Sequence, residues 1–82
     1  MIDRESTIRK YIVEELLEDD DVAIANEASM FNERLLDSLN LLALIDFLEN
    51  EFQIKIESSE INLDNLDSIN LILTFLSRKL DD

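Results

Sequence analysis

Residues 37–52 read Asp37-Ser38-Leu39-Asn40-Leu41-Leu42-Ala43-Leu44-Ile45-Asp46-Phe47-Leu48-Glu49-Asn50-Glu51-Phe52, and this stretch decides the fold. Asp or Ser ahead of an apolar run at helical spacing marks a helix start, because its side-chain oxygen accepts a free N–H of the first turn. The spacing predicts a helix from Asp37-Ser38 to about Phe52, with Leu41, Leu44, Ile45, Leu48 and Phe52 on its core face. Leu39, Leu42 and Ala43 fall nearly opposite, among Asp46 and Asn50. That second side offers an apolar strip beside Ser38, rimmed by Asp37, Asp46 and Glu49. Exposed apolar groups at helical spacing commonly mean a partner surface. The other reading is that the connection ahead of the helix covers part of the strip.

Upstream, Asp3 to Glu18 carries Ile8, Ile12 and Leu16 at i, i+4, i+8, which predicts a first helix. Glu14, Glu15, Glu18, Asp19, Asp20 and Asp21 crowd negative charge at its C-terminal end, unfavourable for the macrodipole, so that end should fray. A solvated, repulsive helix end is the plain reading of this run. Residues 19–36 read as a long connection held by Val22, Ile24, Met30, Phe31, Leu35 and Leu36. Downstream, Gln53 to Glu57 looks extended, with Ile54 and Ile56 partly buried. A short helix over 58–64, started by Ser58 or Ser59, and a last one from Asp67-Ser68 to Leu80 complete an all-α four-helix bundle, three main helices and one short.

The composition narrows function further. The 82 residues hold 7 basic and 20 acidic side chains, a net charge of −13, and no Cys, His, Gly, Pro or Trp. One domain spanning 1–82 is the expectation at this length. Without His or Cys there is no His-activated nucleophile and no thiolate zinc site. Without Gly there is no phosphate-cradling loop. No catalytic residue and no metal site is therefore expected. The charge repels nucleic acid and anionic membranes and attracts basic protein surfaces. The first twenty residues have no apolar run long enough for a signal peptide or a membrane span, which favours a soluble cytoplasmic monomer.

An internal echo acts as a control. Leu36-Asp37-Ser38-Leu39-Asn40-Leu41 and Leu66-Asp67-Ser68-Ile69-Asn70-Leu71 differ at one position, so an Asp-Ser-Leu triplet alone cannot mark a functional serine. The context differs. Asp37-Ser38-Leu39 is followed by Leu48, Glu49, Glu51 and Phe52, then Ile54-Lys55-Ile56, and with the terminal Asp67-Ser68-Ile69, Leu71, Ile72 and Phe75 the chain resembles the acyl carrier and peptidyl carrier proteins, as in free-standing members.

The resemblance implies an acyl-carrier-like bundle in which Ser38 bears 4′-phosphopantetheine donated by coenzyme A, the arm's thiol holding acyl or aminoacyl groups as thioesters. It implies a phosphopantetheinyl transferase, a loading ligase or acyltransferase, and downstream biosynthetic enzymes as partners. Asp37 would meet the transferase's basic surface as well as cap the helix, and Leu39, Leu42, Ala43 and Asp46 would contribute to partner docking. Ser38 has no His or Lys beside it in sequence, so the base must come from the transferase. Ser68 reads as a helix cap. Asn40 and Ala43 stand where fatty-acid-synthesis carriers usually have acids, and Leu35-Leu36 where peptidyl carriers usually have Gly. These departures favour a carrier for an amino acid or small acyl unit, as in secondary metabolism or D-alanyl transfer. Two rivals stay open: an acidic helical interaction module without a prosthetic group, and an acidic mimic of nucleic acid.

Overall fold

The computed structural model describes residues 3–18 and 24–81. Asp19 to Ala23, which include three acids of the run and Val22, lie outside the described residues. Among the described residues four α-helices form the body: α1 over Arg4–Tyr11, α2 over Ser38–Phe52, α3 over Leu63–Leu66 and α4 over Ile69–Leu80.

Asp3 caps α1, its carboxylate accepting the Ser6 N–H at 2.7 Å. The helix runs on as a wider π turn over Ile12–Leu16 and closes with Leu17 N–H donating to Ile12 C=O at 2.9 Å. Glu18 then takes a left-handed φ of 51°. The first helix therefore stops two residues short of the expected Glu18. Ile8 and Ile12 are fully buried and Leu16 is half-buried, so the i, i+4, i+8 spacing does select the core face.

The connection before α2 is anchored by three apolar pins, Ile24, Met30 and Leu36, all buried. Phe31 and Leu35 pack partly against the core. Polar contacts hold it as well. The Arg9 guanidinium donates to the Ile24 carbonyl and to Asn26 Oδ1, and Asn26 Nδ2 donates to Glu5 at 3.1 Å. Met30 N–H donates to the Asp67 carbonyl at 2.8 Å, which ties the connection to the start of α4.

Helix α2 buries Leu44, Ile45 and Leu48, while Leu41 and Phe52 pack half-buried beside them. It ends at Gln53 in the left-handed region, φ 56° and ψ 49°. Glu49 then holds the extended stretch in place, its carboxylate accepting Ile56 N–H at 2.8 Å while Ile56 is buried. The short helix starts later than its sequence suggested. Ser58–Glu60 forms only a 3₁₀ turn, and α3 begins at Leu63 with Asn62 as the cap, accepting the Asn65 N–H at 3.0 Å. An Asn whose side chain can reach the third residue of the helix outcompeted the two serines as a start signal.

Leu66, Ile69, Ile72, Phe75 and Leu76 complete the core from the α3–α4 side. Each fully buried side chain of this size contributes about 1.5–3 kcal/mol relative to leaving it exposed, so a thin core depends on every one. Arg4 closes the molecule end to end with a two-pronged contact to Asp81, at 3.1 and 3.2 Å. Lys79 pairs with Glu60 at 2.8 Å.

Candidate functional site

The candidate site is the start of α2. Leu36 is buried immediately before it and Leu44 is the first fully buried residue within it, so Asp37 to Asn40 are presented at the surface between two apolar anchors. Asp37 and Ser38 are exposed and Asn40 is half-buried.

The cap bond belongs to Asp37. Its Oδ1 accepts the Asn40 N–H at 2.9 Å, and Asn40 Oδ1 accepts the Asp37 N–H at 3.3 Å, a reciprocal capping box. Ser38 is thus the first residue inside the helix, and the cap leaves its hydroxyl unused. At the second Asp-Ser the positions are offset by one. Ser68 is the cap of α4, its Oγ accepting the Leu71 N–H at 3.1 Å, and it is only 5% exposed. Asp67 is turned to the connection instead, accepting from the Ser29 hydroxyl and from Phe31 N–H at 3.1 Å. The two serines of near-identical hexapeptides therefore occupy different chemical situations. One hydroxyl is open to solvent. The other is buried and engaged.

The electrostatics at Ser38 favour a phosphodiester. The first turn of α2 contains no acid, so apart from the capping carboxylate the free N–H groups and positive end of the dipole face outward. An anion there gains about 0.3–1 kcal/mol at an exposed position. The protein has no His, the sequence neighbours of Ser38 are Asp37 and Leu39, and the Asp37 carboxylate is engaged as the cap, accepting the Asn40 N–H at 2.9 Å. The residues suit a serine modified by another protein. Among the described residues no group of metal-ligating side chains forms a site, and no helix is long and apolar enough to cross a membrane.

Of the five residues expected to meet partners, four lie open. Leu39 is 77% exposed and Leu42 61%, and both Asp37 and Asp46 are exposed. The described part of the connection does not cover the strip. Ala43 differs: it is half-buried, and its carbonyl accepts the Tyr11 hydroxyl at 3.2 Å. The reason is that the C-terminal end of α1 meets this flank of α2, where Tyr11 stacks on Phe47 with ring centroids 3.9 Å apart and planes 11° from parallel. Burial first, and then the charges of Glu15 and Asp46, push the Tyr11 hydroxyl above its usual pKa.

Two features of this region were not legible in the residue pattern. Asn40 as the return arm of the capping box was missed because the familiar signal at that place is Glu or Gln. The Tyr11–Phe47 stack joins residues 36 apart in sequence, and each alone reads as ordinary helix packing.

A family model described as the phosphopantetheine attachment site matches residues 7–76. No curated protein and no solved structure matches the chain significantly.

Proposed function

Because the chain belongs to the phosphopantetheine-attachment family, and so is a carrier protein of the acyl and peptidyl carrier kind with 4′-phosphopantetheine as its prosthetic group, we propose that Ser38 is the attachment point and that residues 1–82 work as one carrier domain. The single observation that carries this is the offset between the two Asp-Ser pairs. Ser38 is exposed with its hydroxyl free of the cap bond, whereas Ser68 is buried and caps α4.

A carrier of this family serves phosphopantetheinyl transferases and biosynthetic enzymes in general. In the transfer, the Ser38 oxygen forms a bond to the phosphorus that bears the pantetheine. The pyrophosphate P–O bond of coenzyme A breaks, the adenosine bisphosphate leaves, and the serine proton passes to a base on the transferase. The chain's own part is to present Ser38 on a rigid helix end and to offer backbone N–H groups near the new anion. The bound arm supplies a thiol for thioester chemistry. This protein has no Cys, so no internal thiol competes for the acyl group.

For cargo, the proposal is an amino acid or small acyl unit. The support is the partner side of α2: Leu39 and Leu42 stand exposed, Asn40 follows the serine's neighbour, and Asp46 is the first acid after Asp37. Such a face selects partners by apolar fit more than by charge pairing. The reading as an interaction module without a prosthetic group has no observation in its favour.

Thiol titration under denaturing conditions tests the attachment. After incubation with coenzyme A and a broad-specificity transferase, the wild type should give one reactive thiol per chain and Ser38→Ala none. A thiol in Ser38→Ala at wild-type level would move the arm elsewhere.

A further inference from the structure

We propose that the Asp37–Asn40 capping box keeps Ser38 open to modification, by fixing α2 in the register that keeps the Ser38 hydroxyl out of the cap. The proposal rests on the reading of Ser38 as the attachment point and gives Asp37 a positioning role distinct from its charge.

Ser and Asp are about equally good N-caps, so a sequence Asp-Ser ahead of a helix has two competing registers. In one, Asp caps and Ser is the first helical residue. In the other, Ser caps and Asp lies outside. This protein contains both outcomes. At 67–68 the serine caps, and the aspartate's two oxygens are drawn away, one by the Ser29 hydroxyl and one by Phe31 N–H. At 37–38 the aspartate caps, and Asn40 returns a bond to its backbone N–H.

The difference has a chemical consequence. A capping serine accepts from the N–H three residues on, as Ser68 does from Leu71. Its oxygen is then held against the helix end by that bond and is a poorer nucleophile, since a lone pair is engaged. Moved to the capping register, Ser38 would accept the Leu41 N–H and leave the helix. The reciprocal Asn40 contact opposes that slip because it exists only while Asp37 is the cap.

The test separates cap from charge by comparing Asp37→Asn with Asp37→Ala. Asn keeps a capping oxygen and removes the charge, whereas Ala removes both. Each ¹³C,¹⁵N-labelled apo variant is assigned by NMR, and its modification by coenzyme A and transferase is followed by intact mass. In wild type and Asp37→Asn, the Ser38 carbon shifts should be helical and the Asn40 amide protected from exchange. In Asp37→Ala, the Ser38 shifts should move to extended values and the Asn40 amide should lose its protection, while Leu41, whose N–H already donates to the Asp37 carbonyl at 2.9 Å, stays protected. Modification of Asp37→Ala should be roughly fivefold slower than of Asp37→Asn, the factor expected for loss of one cap. Equal rates for Asn and Ala, or helical Ser38 shifts in Asp37→Ala, would overturn the proposal while leaving the attachment point intact. Modification of wild type at a residue other than Ser38 would overturn both. If Asp37→Ala loses its helix signal, Asn40→Ala, which removes only the return bond to the Asp37 N–H, takes its place: Ser38 shifts part-way to extended values and slower modification are expected, and wild-type shifts and rate would overturn the proposal.

Discussion

Gln53 shows how a single residue records a compromise in this chain. Helices commonly end on a left-handed residue, and glycine takes that conformation without steric cost. The protein has no glycine, and Gln53 fills the position at φ 56° with its side-chain amide donating to the Asn50 carbonyl at 2.7 Å. A left-handed conformation costs an L-residue roughly 1–2 kcal/mol, and a glycine loses about 0.5–1 kcal/mol more backbone entropy on folding. Gln53→Gly should therefore stabilise the protein by up to about 1 kcal/mol, read as a higher midpoint in urea unfolding with an unchanged slope. An unchanged or lower midpoint would mean that the Asn50 contact outweighs the strain.

Among the elements, α2 was the most legible from sequence and the 3₁₀–α3 region the least. Asp37, Leu44, Ile45 and Leu48 lie where capping and periodicity put them, because a fifteen-residue helix repeats its signal four times. A four-residue helix has one turn in which to show a pattern, so Ser58 and Ser59 read as starts and Asn62, the cap in the structure, gave no distinct signal. For the site, periodicity marked the strip on α2, and the resemblance to carrier proteins marked Ser38. They could not show that Tyr11, at the end of α1, covers the Ala43 flank, since it meets Phe47 only in the folded chain. The exposed part of the strip leads to a prediction for the element. Leu42→Asp should leave far-UV circular dichroism unchanged, because the side chain is 61% exposed, and should lower kcat/KM for transferase-catalysed modification. Loss of helix content would instead place Leu42 in the core.

For the whole molecule, charge decides how stability varies with conditions. Net repulsion of −13 is screened by salt, with a Debye length of about 10 Å at 0.1 M. The melting temperature should rise with ionic strength, by about 4–8 °C for each kcal/mol of repulsion relieved. A flat or falling curve would show that repulsion is not limiting. Acid acts on the carboxylates that hydrogen bonds and ion pairs hold ionised. Asp3 is held below its ordinary pKa by the Ser6 backbone N–H and hydroxyl, Glu60 by hydrogen bonds from Lys79 and then Glu57, and Asp81 by the Arg4 guanidinium. Groups with depressed folded-state pKa values stabilise the fold above their unfolded values and lose that contribution as pH falls through the depressed ones. Stability should therefore hold from pH 7 down to about pH 5 and fall below about pH 4. Thermal melts showing no loss below pH 4 would contradict this. At the alkaline end, the raised Tyr11 pKa favours the neutral phenol, so its contribution is complete below the ordinary value of 10.0 and lost as pH rises beyond it.

The central claim is that one of two nearly identical Asp-Ser pairs carries the arm. The most direct measurement is intact mass, with peptide mapping, after incubation of the wild type, Ser38→Ala and Ser68→Ala with coenzyme A and a phosphopantetheinyl transferase. One phosphopantetheine on the wild type, retained in a folded Ser68→Ala and absent from Ser38→Ala, is the expected result. An addition that maps to Ser68, or none on the folded wild type, would contradict it.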